Sequence, residues 1–218
     1  MNDFISTLVK NSDDPRHAML YDYFRSHIDR NDAGHRMAHV NDVAQAALAI
    51  GDANGLTTDR YWLLVVMAAL GHDHTCYINR ETHHLEGASR TSLILAQNGF
   101  SIEESSLVAC MIAQHRASYK GTYTNTYAEV FAAADRGAPD LDNWLRRSVQ
   151  YWVGQGHSAE EGCQHALEHI PEKYGRNGYA RYPSVWKSFY KNELIGIYDR
   201  IDALTIDDVN LAYVGSGG

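Results

Sequence analysis

Three metal-capable side chains follow one another at His72-Asp73-His74, directly after Gly71 and the apolar run Tyr61 to Leu70 (YWLLVVMAAL). That run suits a helix buried on most sides. Burying a carboxylate and two imidazoles costs several kcal/mol unless each finds a partner, and a metal ion is one such partner. Two more donors can join them: His39, near the start of a preceding helix, and Asp135, late in a following one. Two imidazoles and two carboxylates (His39, His72, Asp73, Asp135) make a borderline-hard site suited to Mn, Fe, Co, Ni or Zn. Such a metal activates water near neutral pH and polarises a phosphoryl oxygen. The chemistry indicated is hydrolysis of a phosphoester or phosphoanhydride bond.

The elements that must position these groups are all helical. Asp14-Pro15 reads as a cap and first helical position, opening a helix to about Arg30. A break at Asn31-Asp32-Ala33-Gly34 precedes a helix from about His35 to Asn54, with His35 and His39 on one face. Thr57, Thr58 and Asp59 are candidate caps for the helix ending at His72-Asp73, where Gly71 is expected to relax the backbone. Helices are expected from about His84 to Asn98, from Ser101 to His115 with a capping box to Glu104, and from Thr126 to Arg136. Further helices are expected at 141–153, 158–170 and 184–204, with 171–183 as a glycine- and tyrosine-rich connection. No hairpin signal or repeat is present, so the fold class is all-α.

With 218 residues and 44% hydrophobic residues, the chain can bury a sizeable core. Its net charge of −8 argues against a footprint for duplex nucleic acid, while a metal could still carry the charge of a phosphorylated substrate. Cys76, Cys110 and Cys163 match no paired pattern and read as free thiols in a reducing compartment. No signal peptide is visible and the apolar run is too short to span a bilayer, so a cytoplasmic protein without membrane association is expected. A homo-oligomer is left open.

The order His39 (HVNDVAQAA), His72-Asp73 (AALGHDHT) and Asp135 (FAAADRG) resembles the H…HD…D pattern of the HD-domain metal-dependent phosphohydrolases, over roughly residues 33–140. The opening GHRMAHVNDV is similar to two of their subgroups: the bacterial and phage nucleotide pyrophosphohydrolase-like proteins and the cyclic-nucleotide phosphodiesterases. The resemblance implies an HD helical bundle at 33–140. Helices in 1–32 would pack on it, 141–213 would complete the same domain, and 214–218 would be a disordered tail. In the phosphodiesterases the first histidine, here His35, is the general acid. Some HD enzymes hold a second metal with later histidines. His83 fits their HxxxGA spacing with Gly87 and Ala88, and His115 follows in IAQHRA. One or two transition-metal ions are therefore implied, with Mg also open.

Catalytic roles are thus expected for His35, Asp73 and His83. A second metal or a phosphate is expected at His83, His115, Arg116 and Lys120, and supporting positions at His74 and Arg136. Arg116 and Lys120 could equally be solvated loop charges, His84 is expected to be exposed, and His157, His165 and His169 are assigned nothing. The aromatic run from Tyr174 to Tyr198 could cover a nucleobase or simply form core. The implied reaction is hydrolysis of a (deoxy)nucleoside phosphate by a metal-activated water. The rivals are a phosphodiesterase for cyclic nucleotides or short oligonucleotides, and a catalytically weak nucleotide-binding sensor.

Overall fold

The structure is a computed structural model that describes residues 3–32 and 35–214. Among the described residues it is all helix, with no strand, and no helix is long and apolar enough to cross a membrane. Residues 33, 34 and 215–218 lie outside the described residues, so the expected tail falls outside them except for Val214, which ends a helix.

The chain forms two compact units, 1–137 with 183–189, and 138–182 with 190–218. The first unit holds α1 (Phe4–Lys10), α2 (Pro15–Ile28), α3 (Met37–Ala53), α4 (Asp59–His72), α5 (His83–Gln97), α6 (Ile102–Ala113), α7 (Thr126–Asp135) and α10 (Ser184–Phe189). Local chemistry sets most of these starts. Asp14 caps α2 with Pro15 as its first residue, the Thr58 hydroxyl accepts from the Tyr61 amide to open α4, and Ser101 and Glu104 close the capping box of α6. Helix α4 lies at the centre, buried without a gap from Leu64 to His72. Helices α2, α3, α5 and α6 all pack on it.

Gly71 does not relax the backbone as expected, since α4 continues through it to His72. Its role is close approach. A Cβ there would lie 2.5 Å from Thr91 Oγ1 and 2.9 Å from Ile112 Cδ1, on α5 and α6. Gly87 completes the contact from α5, where a Cβ would lie 3.2 Å from the Gly71 carbonyl oxygen. Two residues without side chains thus let α5 press against the end of α4, which carries His83 up to Asp73.

Helix α10 belongs to the first unit, apart from the C-terminal segment with which its sequence was grouped. Trp186 is fully buried and donates from Nε1 to the Gly137 carbonyl, and Ser184 bonds the Glu129 carboxylate. The single helix expected over 184–204 is accordingly two, interrupted at Tyr190.

The second unit holds α8 (Leu141–Gly154), α9 (Ala159–Tyr174), α11 (Lys191–Asp202) and α12 (Ile206–Val214) around Leu145, Val149, Cys163, Ala166, Ile170, Ile201 and Val209. Helix α9 runs past Pro171, where the sequence suggested a loop. Ile170 is buried, and Tyr174 stacks on Trp144 with ring centroids 4.2 Å apart, which favours one further turn. Arg176 pairs with Asp199 and Asp202.

Candidate metal centre

Every candidate ligand sits at the end of a helix of the first unit. His39 lies in the first turn of α3, His72 ends α4 and Asp73 is its C-cap, His83 opens α5, His115 follows the C-cap of α6, and Asp135 ends α7. Packing brings these ends together. His39 Nε2 lies 3.3 Å from His72 Nε2 and 3.3 Å from Asp135 Oδ1. Asp73 Oδ2 is 3.2 Å from His72 Nε2 and 3.7 Å from His39 Nε2. The other oxygen of Asp73, Oδ1, faces a second pair: His83 Nε2 at 3.3 Å and His115 Nε2 at 3.9 Å. The described residues therefore contain two groups that could hold a metal ion, His39–His72–Asp73 and Asp73–His83–His115.

The ring tautomers follow from the backbone. The Nδ1 atoms of His72, His83 and His115 lie 2.7, 2.8 and 2.6 Å from the carbonyl oxygens of Ala69, Arg80 and Ile112. A carbonyl only accepts, so each Nδ1 carries the proton and each neutral ring turns an Nε2 lone pair to the centre. Donor atoms about 2.0–2.1 Å from one ion in a tetrahedral array lie about 3.3 Å apart, close to the spacings within each group. The donor set of imidazole and carboxylate fits a divalent transition metal.

The electrostatics agree. Burial works against a charge on His72, but Asp73 and Asp135 outweigh it and push the metal-free ring up to about 9. Burial also opposes charge on Asp135, yet His39, His115 and His72 hold its carboxyl down at about 2. Asp73 lies well below the usual carboxylate range because His72, His83 and His115 overcome its burial. Burial lowers His115 to about 4, so that ring is neutral.

The remaining expected residues are placed as follows. His35 lies beside the centre, its ring centroid 6.0 Å from that of His39, with Nδ1 2.8 Å from Asp32 Oδ1. Arg136 spans the ends of α6 and α7: it donates to the carbonyls of Ala132, His115 and Arg116 and to the Tyr123 hydroxyl. Arg116 donates to the Glu81 carbonyl, tying the two loops beside the centre, and Lys120 is exposed. His74 joins neither ligand group. It donates to the Gly71 carbonyl and packs edge-on to Phe24. His84 is partly buried rather than exposed.

Three neighbours went unrecognised in the sequence. Asn31 and Asp32 looked like a helix break, and Arg80 was not singled out. The spacing Asp32-x-x-His35 could have suggested the carboxylate–imidazole pair, whereas nothing local marks Asn31 or Arg80.

No protein-family model matches the chain, and no curated protein matches it. Among solved structures it is similar to one described as the crystal structure of a predicted HD superfamily hydrolase from an uncultured Thermotogales bacterium. That similarity has a TM-score of 0.50 and 22% identity, over 77% of this chain and 90% of the other. At 22% identity the likeness shows a shared fold and not a shared reaction. In this structure His39 Nε2 and His72 Nε2 each lie within 3.7 Å of both Asp73 Oδ2 and Asp135 Oδ1.

Proposed function

We propose that this chain is an HD-type metal-dependent phosphohydrolase whose substrate is a nucleotide, a (deoxy)nucleoside phosphate. One observation carries the reading: Asp73 stands between two sets of imidazole nitrogens and offers one carboxylate oxygen to each. His39, His72, Asp73 and Asp135 would hold one divalent metal, and Asp73, His83 and His115 a second metal or the substrate phosphate. When bound, the metal supplies an activated water and a Lewis acid for a phosphoryl oxygen.

The chain's own groups account for the remaining work. The backbone carbonyls of Ala69, Arg80 and Ile112 keep the ligand rings in the binding tautomer. As an imidazolium, with its Nδ1–H held by Asp32, His35 would give its Nε2 proton to the leaving oxygen and be left as the neutral Nδ1–H ring. Arg80 reaches both Asp32 and His35, with a guanidinium nitrogen 3.4 Å from His35 Nε2, and offers donors for phosphate oxygens there. Cleavage of a phosphodiester is the second reading, favoured by the presence of both a second ligand group and an imidazole held by a carboxylate.

The test is hydrolysis with Mn²⁺, Co²⁺, Ni²⁺ or Mg²⁺ of nucleoside mono- and triphosphates, ribo and deoxy, cyclic nucleotides and a generic phosphodiester, with Asp73→Ala alongside. Release of phosphate, pyrophosphate or triphosphate from one nucleotide, lost in the variant, is expected. Turnover of cyclic substrates alone would replace this reading with the second. No turnover of any substrate by protein that binds metal would overturn both in favour of a nucleotide-binding sensor.

A further inference from the structure

Asn31 is almost completely buried, 3% exposed. Its side-chain amide makes two hydrogen bonds. Nδ2 donates to the His35 carbonyl at 3.0 Å and to the Asp73 carbonyl at 2.9 Å. Both acceptors are carbonyls, so the amide nitrogen must face them, and the orientation of the group is unambiguous. The Asn31 Oδ1 atom is buried and lacks a hydrogen-bond partner among the described residues. A position that leaves a buried acceptor unpaired is explained by what its donors hold together. These donors join the turn carrying His35 to the C-cap of α4, which carries Asp73. The next residue completes the arrangement: Asp32 accepts from His35 Nδ1 and so selects Nε2 as the outward nitrogen. The guanidinium of Arg36 closes the turn by donating to the Asn31 carbonyl at 3.1 Å.

We propose that Asn31 is a positioning residue that holds His35 at a set place relative to Asp73, with Asp32 fixing the ring's tautomer. The inference rests on the reading of His35 as the acid that protonates the leaving oxygen. An acid placed a few tenths of an ångström wrong still leaves the metal ligands in place, so the defect should depend on how much the leaving group needs a proton.

The test compares two esters, one with a p-nitrophenolate leaving group, which departs without a proton, and one with a nucleoside leaving group, which requires one. The assays use metal-loaded full-length protein with metal content measured. His35→Gln is expected to lose about 10²-fold on the nucleoside ester and little on the p-nitrophenyl ester. Asn31→Ala should show the same selective loss, about tenfold or more, at unchanged metal content. Combined with His35→Gln it should add nothing further. Asp32→Asn, at a side chain that is 56% exposed and so tolerant of change, supplies the same comparison if Asn31→Ala does not fold.

A second readout needs no activity. In ¹⁵N-histidine NMR of the metal-free protein, His35 should be the Nδ1–H tautomer, and Asn31→Ala and Asp32→Asn should each give a mixture. Equal losses on the two esters, or an unchanged His35 tautomer in both variants, would overturn the inference. A wild-type protein that cleaves neither ester would overturn the hydrolase reading, and the NMR result alone would then decide whether Asn31 and Asp32 set the ring.

Discussion

His83 and His115 meet nitrogen to nitrogen, their Nε2 atoms 3.2 Å apart. Each ring's Nδ1 already donates to a backbone carbonyl, so when both are neutral neither Nε2 has a proton to offer the other. Two lone pairs facing each other at that distance repel. The arrangement becomes favourable when a cation lies between them, and Asp73 Oδ1 supplies the third donor.

Asp73 is therefore the residue whose removal should do most damage. Asp73→Ala takes one oxygen from each ligand group. Metal content by elemental analysis should fall for both groups, whereas His83→Ala should affect only one. Activity should drop by more than the about 10–100-fold typical of losing a group that merely orients a ligand. Full metal content in Asp73→Ala would show that the carboxylate does not bridge the two sets.

Metal loading should release protons. His72 keeps its proton up to about 9 in the metal-free chain, yet it must be neutral to bind a metal. Apparent affinity should rise with pH up to that value and level off above it. Calorimetric titration with one metal in buffers of different ionisation enthalpy would reveal the proton. Binding heats independent of buffer at pH 7.5 would contradict the charged His72.

The metal-free protein should weaken in mild acid. Burial lowers both His74 and His115 from the usual 6.5 to about 4. Between those values the unfolded chain binds protons at these rings and the folded chain does not. Stability therefore falls as pH drops from 6.5 towards 4, by up to about 1.4 kcal/mol per pH unit for each ring. His72 acts in the opposite range: its raised value contributes stability below 6.5 that is lost as pH rises towards 9. Urea unfolding across pH 4.5–9 should show both slopes, and His74→Phe, which keeps a ring against Phe24, should make the acid slope shallower.

The close approach of α4 and α5 should be intolerant of a methyl group. Gly71→Ala gains roughly 1 kcal/mol of helix propensity but forces Thr91 and Ile112 aside, an overpacking that costs about 1–3 kcal/mol. A net loss of up to about 2 kcal/mol by chemical denaturation is expected, together with weaker metal binding, because His83 moves away from Asp73. Gly87→Ala presses on a backbone carbonyl at 3.2 Å and should act in the same direction. Unchanged stability in both would show that the helix end can open without strain.

Much of the first unit was legible in the sequence because its signals are local. A cap acts on amides two or three residues away, so Asp14, Thr58 and Ser101 set helix starts wherever those helices later pack. The order of His39, His72-Asp73 and Asp135 likewise singled out four side chains that the fold brings close together. Tertiary structure decided matters that depend on which surfaces meet. Pro171 stays within α9 and Trp186 leaves the C-terminal segment for the first unit, because burial of distant partners outweighs the local signal. The two oxygens of Asp73 divide between two histidine pairs only because Gly71 and Gly87 let α5 close on α4. Asn31 gains its place from a carbonyl 42 residues away, a contact that no local pattern encodes.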